Sequence, residues 1–295
     1  MTDSPGPALV AAFLLTVNIG ATVTVAVRIG SRLAASRLDR ALVATLFGIT
    51  QAVVVPLALA ELGILARFPV TIVHLALLAG VLNLVPRGEP ASAGPPSLAG
   101  RLSAALGAGL LVWAAVPALR ALQTTHGETR HYHVANLATW LQRKTIWTLP
   151  FQNPGVPTAT HPGNAEMFGL WLVLPSHGDQ FAYLMILPFA LLAVLACASI
   201  ARDLGGDAGW GALCATALLA APHVFGTGAF TLASDLPAAA GLTTGVALLL
   251  RARAEPERRS WVVLAGLALG LGLGSKYTVL LPTAAVLGWS VAFFR

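Results

Sequence analysis

Residues 41–63 read ALVATLFGITQAVVVPLALAELG, and Glu61 is their only charged residue. A membrane-spanning helix needs roughly 20 apolar residues, because each adds about 1.5 Å and the hydrocarbon layer is roughly 30 Å thick. Comparable apolar runs fill most of the chain. We predict about nine membrane segments, at 9–27, 41–63, 68–85, 102–122, 181–201, 209–225, 235–250, 261–274 and 277–294. The sequence therefore predicts an all-α, polytopic transmembrane bundle. The run 261–274 is short, so we expect it to form a Gly-rich hairpin with 277–294.

The composition of the 295 residues agrees with a membrane protein. Hydrophobic residues make up 56% and charged residues only 10%, whereas about a quarter of the residues in a soluble domain are charged. The mean hydropathy is +0.76. These values exclude a soluble enzyme, a disordered chain and a secreted disulfide scaffold. Cys197 and Cys214 both lie in apolar stretches, which gives no sign of a disulfide framework or a CxxC metal site.

The arginines predict the orientation of the chain in the membrane. Arg28, Arg32, Arg37 and Arg40 follow the first span, while the preceding MTDSPGPA has an Asp and no Arg or Lys. That order is the reverse of a cleavable signal peptide, and the positive-inside rule places the arginines in the cytoplasm. We therefore expect an external N-terminus. The net charge of +6 is ascribed to topology, and nucleic acid is not expected as a partner. The Arg- and Ala-rich composition indicates a bacterial inner membrane.

The chain divides into three predicted parts. Residues 1–85 hold three transmembrane helices, residues 86–101 form a Pro/Gly/Ser-rich cytoplasmic linker, and residues 102–295 hold the remaining spans. The third part contains the long polar segment 123–180, which is external on this topology. Long loops in compact proteins are usually functional. We therefore look for the chemistry of the protein in this segment and at the helix ends beside it.

An interfacial amphipathic helix is predicted within this loop, over 129–145, which reads TRHYHVANLATWLQRKT. Its apolar side chains are expected at the bilayer boundary, namely those of Tyr132, Val134, Leu137, Trp140 and Leu141. Its basic side chains are expected to reach lipid phosphates, namely those of Arg130, Arg143 and Lys144. The following stretch, 149–166, is rich in proline and is expected to be irregular.

Three charged residues admit both a chemical and a structural interpretation. Glu128, in HGETRHYH, is either a general base for an acceptor hydroxyl or a carboxylate that stabilises the start of the next helix. Asp235, in FTLASDLPAAA, either pairs with Glu128 across one cavity or lies in a first helical turn that Ser234 caps. Lys276, in LGSKYT, either binds a lipid phosphate or snorkels from a tight turn.

Histidines concentrate in the same external segment. Five of the 7 lie there: His126, His131, His133, His161 and His177. His131 and His133 are two residues apart, so they do not share a helix face. A divalent metal bound with His126 or His161 is an alternative, although no spacing is diagnostic. His161, with Asn164 and Glu166, is expected instead to shape the loop or to bind a sugar.

Glycines are frequent near the end of the chain, in GLALGLGLGSK at 266–276. They lie within an apolar run, which favours helix-packing positions over a nucleotide-binding loop. The sequence contains no P-loop, HExxH or GxSxG motif.

Five sequence pieces, taken as a set, resemble one known group of enzymes. They are GETRHYHVANLATWLQ after a span, HPGNAE, HGDQ before the next span, SDLP at a later external helix start, and GSKYT after a Gly-rich helix. Together they resemble the GT-C superfamily of membrane glycosyltransferases, which includes protein O-mannosyltransferase-like and aminoarabinose-transferase-like enzymes. The resemblance covers about 102–294. It implies transfer of a sugar from a polyprenyl-phosphate carrier in the membrane lipid to an unknown acceptor outside the cytoplasmic membrane.

The resemblance also implies roles for individual residues. The acidic residue of the family's first external loop matches Glu128, as base or acceptor-orienting group, and a later acidic residue at a helix start matches Asp235. A cation that meets the carrier phosphate matches Lys276, while His133 falls in a family-like YH pair with Tyr132. The substrate-binding residues implied are Lys276, His133, Tyr132, Arg130, His161 and Glu166.

The chain departs from the family pattern in three respects. Glu128 stands alone where the loop often has Asp or an Asp-Glu pair. Three helices precede the span that is usually first, and the chain stops at Arg295 after about six family-type spans, where such enzymes commonly continue. A fragment, a split subunit or a degenerate member of the family is therefore one expectation. The alternative functions are a non-catalytic subunit of a cell-envelope glycosylation system and a transporter for a lipid-linked precursor. Charges clustered at one external face favour an enzyme over a transporter.

Overall fold

The computed structural model describes residues 5–89, 97–119, 133–147, 163–221, 224 and 233–293. Within these residues all regular structure is helical, which confirms the predicted all-α class. The α-helices, in chain order, are α1 (Pro5–Leu33), α2 (Arg37–Glu61), α3 (Arg67–Leu84), α4 (Leu98–Leu119), α5 (Val134–Arg143), α6 (Asn164–Val173), α7 (Ile186–Asp203), α8 (Ala208–Ala220), α9 (Asp235–Ala254), α10 (Ser260–Leu273) and α11 (Leu280–Phe293). Two 3-10 helices, Asp179–Met185 and Tyr277–Val279, precede α7 and α11.

Four of these helices are long and apolar enough to cross a membrane. They are α1 from Ala8 onward, α2, α3 and α7, and each corresponds to a predicted span. The other apolar helices, Leu98–Val112, Ala208–Ala220, Ser260–Leu273 and Tyr277–Ala292, are shorter. Although α9 has 20 residues, it ends in two arginines, Arg251 and Arg253. Multiple membrane crossings are therefore supported, and the remaining five of the nine predicted spans stay a prediction.

One end of the bundle is held together by buried ion pairs. Asp39 in the first turn of α2 is almost fully buried, and Arg202 of α7 donates to its Oδ1 at 2.9 Å. Arg251 of α9 lies 3.4 Å from the other carboxylate oxygen of Asp39 and also pairs with Glu255. We call this end, where α2 begins and α7 and α9 end, the basic end. The opposite end, where α2 ends and α9 begins, is the site end.

The three N-terminal helices share one hydrophobic core with the rest of the chain. Helix α1 packs on α2 and α3, and α2 packs on both α6 and α7. Helix α9 lies between α7 and α10. The predicted division at residues 85 and 101 therefore does not coincide with a break in the core. Leu98 to Gly100, in the predicted linker, form the first turn of α4.

The segment 123–180 differs from the polar loop that was predicted. Its described part includes α6, in which every residue from Ala165 to Val173 is buried. The apolar run of α6 was missed because it is far shorter than a membrane span. Helix α5 buries Leu137 and Trp140 within the protein, so the expectation that these two side chains face the bilayer boundary is wrong. Residues 148–162 of the predicted irregular stretch lie outside the described residues.

Candidate functional site

Two of the predicted site residues meet at the site end of the bundle. Asp235 begins α9, and Lys276 follows the end of α10. The Nζ atom of Lys276 donates to Oδ1 of Asp235 at 2.6 Å. Both side chains reach the surface, since 72% of Asp235 and 32% of Lys276 is exposed. The pair therefore places a cation and a carboxylate where a charged ligand can reach them.

Local sequence explains why each residue stands at a helix end. Pro237 lies in the first turn of α9, where its missing N–H would have no intrahelical partner anyway. Ser234 precedes this turn but makes no side-chain capping hydrogen bond, so its predicted capping role is wrong. Just after the end of α10, Ser275 Oγ donates to the Leu271 carbonyl at 2.8 Å, which supplies a partner for a carbonyl in the last turn of the helix. Lys276 then follows in an extended conformation.

The start of α6 docks beside Lys276. The backbone N–H of Asn164 donates to the Gly274 carbonyl at 2.7 Å, and its Nδ2 donates to the Leu271 carbonyl at 3.4 Å. A Cβ atom on Gly274 would lie 2.1 Å from Asn164 Nδ2, so a glycine is needed for this approach. The HPGNAE and GSKYT motifs are therefore in direct contact, although more than a hundred residues separate them.

A second pair of predicted residues lies buried just behind this contact. His133 immediately precedes α5, and its Nδ1 is 2.6 Å from Oε1 of Glu166 in the first turn of α6. Their side chains are 1% and 4% exposed. The second carboxylate oxygen of Glu166 is also buried and makes no hydrogen bond within the described residues. Such an oxygen is costly to leave unpaired, which makes Glu166 a candidate acceptor for a ligand hydroxyl.

An apolar cavity of about 830 Å³ opens between the helices, and neither Asp235 nor Lys276 is among its lining residues. Its walls come from α1, α2, α4, α6, α7 and α8, with side chains that include Val23, Ile49, Leu111, Phe168, Leu191 and Leu219. Leu236, adjacent to Asp235 in the sequence, also lines it. The cavity therefore touches the first turn of α9 at this one residue. Its lining and its size suit a hydrocarbon chain.

The remaining predicted site residues fall outside the described part of the chain. They are Glu128, Arg130, Tyr132 and His161. Among the residues that the structure describes, no group of three or more His, Cys, Asp or Glu side chains is placed to hold a metal ion. Since His126 and His161 lie outside that part, the divalent-metal alternative stays untested.

Sequence reasoning missed three polar residues inside the bundle. They are Gln51 of α2, His74 of α3 and Trp171 of α6, and His74 contacts both of the others. The sequence did contain one indication of this cluster, because His74 is a lone histidine within the predicted span 68–85. Its partners are 23 and 97 residues away in the sequence, so spacing alone gave no indication of them.

Comparison with known proteins yields one family. Residues 169–295 match the model of the family described as dolichyl-phosphate-mannose-protein mannosyltransferase. The match begins within α6 and includes Asp235 and Lys276, while Glu128, His133 and Glu166 precede it. No curated protein and no solved structure matches the chain. The match confirms, over this region, the resemblance to GT-C membrane glycosyltransferases.

Proposed function

We propose that this chain, whose residues 169–295 are similar to dolichyl-phosphate-mannose-protein mannosyltransferases, transfers a sugar from a polyprenyl-phosphate carrier to an acceptor on the external face of the membrane. The observation that carries the proposal is the 2.6 Å contact between Lys276 and Asp235, beside the cavity wall at Leu236. A lipid-phosphate donor needs an apolar channel and a cation at its mouth. It needs no nucleotide pocket, in agreement with the absence of a P-loop motif from the sequence.

Donor binding in this proposal uses the cavity and the ion pair together. The hydrocarbon tail occupies the cavity, and the phosphate lies against the Lys276 ammonium. Because a phosphate presents several charged oxygens, it competes with Asp235 for this cation. Displacement of Asp235 frees a carboxylate next to the reacting sugar. Arg130, Arg143 and Lys144 add positive charge for the phosphate, whereas His133, Tyr132, His161 and Glu166 contact the sugar.

The reaction itself is a substitution at the anomeric carbon of the sugar. The acceptor hydroxyl loses its proton to Glu128, with Asp235 as the second carboxylate that orients the acceptor. The new bond from the acceptor oxygen to the sugar carbon forms as the bond to the carrier phosphate breaks. The phosphate leaves with its negative charge, which Lys276 stabilises. Atoms and charge balance without a redox partner.

The orientation follows from the two ends of the bundle. The basic end collects the arginines at the end of α1, the start of α2 and the ends of α7 and α9. The positive-inside rule therefore favours a cytoplasmic basic end and an external site end. We propose a multi-pass inner-membrane protein of a bacterium with its N-terminus outside.

The test is a transfer assay with the full chain in lipid vesicles. Wild type is expected to release or transfer sugar from a polyprenyl-phosphate sugar, measured with and without a divalent cation. Glu128→Gln, Asp235→Asn and Lys276→Gln are each expected to lower the rate roughly 10²- to 10⁴-fold, as loss of acid–base or charge-stabilising groups does. Binding of the lipid without any sugar release by wild type would instead favour a non-catalytic, donor-binding subunit.

Two variants at the same end of the bundle serve as controls. Glu61→Gln changes an exposed carboxylate at the end of α2. Arg67→Gln changes a cation at the start of α3, which packs over the Phe68 ring at 5.0 Å. Both are expected to retain the wild-type rate. Unchanged activity in both Glu128→Gln and Asp235→Asn would remove the site assignment.

A further inference from the structure

One fully buried imidazole joins four helices beside the cavity. His74 of α3 has no exposed surface. The indole N–H of Trp171, in α6, donates to Nε2 of His74 at 2.8 Å. On the other side of the ring, the Gln51 carboxamide of α2 lies 2.7 Å from Nδ1, and the Thr22 hydroxyl of α1 lies 3.3 Å from it. Both ring nitrogens are therefore engaged by groups from other helices.

The hydrogen bonds determine the protonation state of the His74 ring. An indole nitrogen only donates, so Nε2 must carry the lone pair and Nδ1 the proton of a neutral imidazole. Nδ1 then donates, so the Gln51 carboxamide must be assigned with its oxygen, rather than Nε2, at the position 2.7 Å from Nδ1. A second proton on the ring would lie on Nε2, and the resulting N–H would point at the indole N–H of Trp171. The arrangement therefore fixes the orientation of His74, Gln51 and Trp171 at once.

Trp171 connects His74 to the wall of the cavity, because it bonds to His74 and also lines the cavity. Its ring meets His74 edge-on, with the ring centroids 5.9 Å apart. On its other side it packs on Phe168 at 5.6 Å, which in turn packs on Phe189 of α7 at 5.4 Å. Trp171, Phe168 and Thr22 all line the cavity. A change at His74 therefore moves aromatic side chains that any ligand in the cavity would touch.

We infer that His74, with Gln51 and Trp171, is a positioning unit that sets the shape of the cavity and thereby its selectivity for the length of a lipid tail. The inference rests on the proposed function for the identity of that lipid as a polyprenyl phosphate. The inference also gives the three N-terminal helices a role. Helices α1 and α2 contribute side chains to the cavity wall, and α3 contributes His74, which holds Trp171 of α6 in place.

The experiment measures binding of two probes to the full chain in nanodiscs. The probes are undecaprenyl phosphate, with a long tail, and citronellyl phosphate, with a short one. Trp171→Phe keeps an aromatic ring but removes the N–H that orients it. It is expected to weaken long-tail binding by up to about tenfold, the limit reached if the whole free energy of that hydrogen bond is coupled to binding of the tail. Short-tail affinity, set mainly by the phosphate, is expected to stay within about twofold.

His74 is tested by a pair of substitutions. His74→Leu removes both polar contacts and is expected to reduce tail-length discrimination at least as much as Trp171→Phe. His74→Gln retains an acceptor for Trp171 and a donor for Gln51, so it is expected to restore most of the discrimination. A merely structural role for His74 would lower stability without changing the ratio of the two affinities. Each variant is therefore also measured for thermal unfolding.

The matched control is Trp261→Phe. Trp261 of α10 is equally buried, and its indole N–H donates to Glu255 Oε2 at 3.0 Å, near the basic end and away from the cavity lining. This variant is expected to bind both probes as wild type does. Equal tail-length discrimination in wild type and Trp171→Phe, or an equal loss in Trp261→Phe, would overturn the inference. If wild type discriminates between the two tail lengths, and Trp171→Phe loses that discrimination, but wild type transfers no sugar, only the proposed function is overturned.

Discussion

Lys276 and Asp235 form an exposed ion pair, which the phosphate of the lipid opens in the proposed function. The pair is short, at 2.6 Å, but 72% of the Asp235 side chain is exposed. Exposed ion pairs contribute at most about 1 kcal/mol, because water screens the charges and both side chains lose freedom. We therefore expect a phosphate, which has several charged oxygens, to compete successfully with the Asp235 carboxylate for Lys276. The pair is suited to holding the lysine in place until an anion arrives.

Asp235→Asn is accordingly expected to have opposite effects on binding and on transfer. Removal of the competing carboxylate should tighten binding of undecaprenyl phosphate about two- to fivefold, while sugar transfer falls. The measurement is a titration of the sugar-free lipid phosphate into protein in nanodiscs. Lys276→Gln should weaken the same binding, and Glu61→Gln should leave it unchanged. Weaker binding in Asp235→Asn would show that Asp235 serves to hold Lys276 in position rather than to compete with the ligand.

At the level of single residues, the sequence indicated which charged side chains belong to the candidate site, but not which residues they contact. Asp235 and Lys276 stood out because ions at the edges of apolar runs are costly and need a reason. The contact between Lys276 and Asp235 depends on how α9 and α10 pack, which no local pattern encodes. His74 is likewise a polar residue within an apolar run and needs partners there. Those partners, Gln51 and Trp171, are evident only in the tertiary structure.

At the level of helices, the contact between α9 and α10 depends on glycines. A Cβ atom on Gly241 would lie 2.5 Å from the backbone nitrogen of Gly272. The predicted packing role of the glycines in 266–276 thus holds for Gly272 and for Gly274, which meets Asn164. It does not hold for Gly266 and Gly270, where an added Cβ would meet nothing within 4 Å.

Gly241→Ala is therefore expected to push α9 and α10 apart. Overpacking at a close contact costs about 1–3 kcal/mol, so the midpoint of thermal unfolding in detergent should fall. Transfer should fall as well, because α9 carries Asp235 and the end of α10 leads to Lys276. Gly266→Ala, on the same α10, is the control and should match or slightly exceed wild-type stability, since alanine is the better helix former. Equal unfolding midpoints for the two variants would contradict the close-packing argument.

Helix predictions from the sequence succeeded where hydropathy alone decides the outcome. Long apolar runs predicted the existence of α1, α2, α3 and α7, because burying apolar surface dominates their energy. The predicted end of α1 was six residues early and the predicted start of α7 five residues early. Helix α6 was not predicted because it has only ten residues. The whole segment around it was predicted to be a loop on account of the polar residues on either side. Its burial depends on a cleft formed by other helices, such as α2, which the local sequence does not reveal.

At the level of the whole molecule, the bundle has two chemically different ends. The basic end contains a network in which Arg202 and Arg251 share the buried Asp39. The site end contains the Lys276–Asp235 pair and the buried His133–Glu166 pair. The sequence predicted only part of this division, because many arginines lie near the ends of α1, α7 and α9 and the start of α2, whereas Arg130 and Arg143 lie in the segment 123–180. A cavity was expected beside Asp235, but its lining residues were not predicted, since its walls come from helices distributed over most of the chain.

The proposed function requires the site end to face outward, and cysteine labelling tests this requirement. Cys197→Ala with Cys214→Ala removes the native thiols, and one cysteine is then introduced by Glu61→Cys or by Arg258→Cys. Glu61 ends α2 at the site end, whereas Arg258 is half-exposed just after α9 at the basic end. In intact cells a membrane-impermeant maleimide is expected to label the Glu61→Cys protein, and to label the Arg258→Cys protein only after permeabilisation. The thiol-free parent should remain unlabelled throughout. The reverse pattern would place Lys276 and Asp235 at the cytoplasmic face and exclude an external acceptor, because a sugar released there would have no route to it.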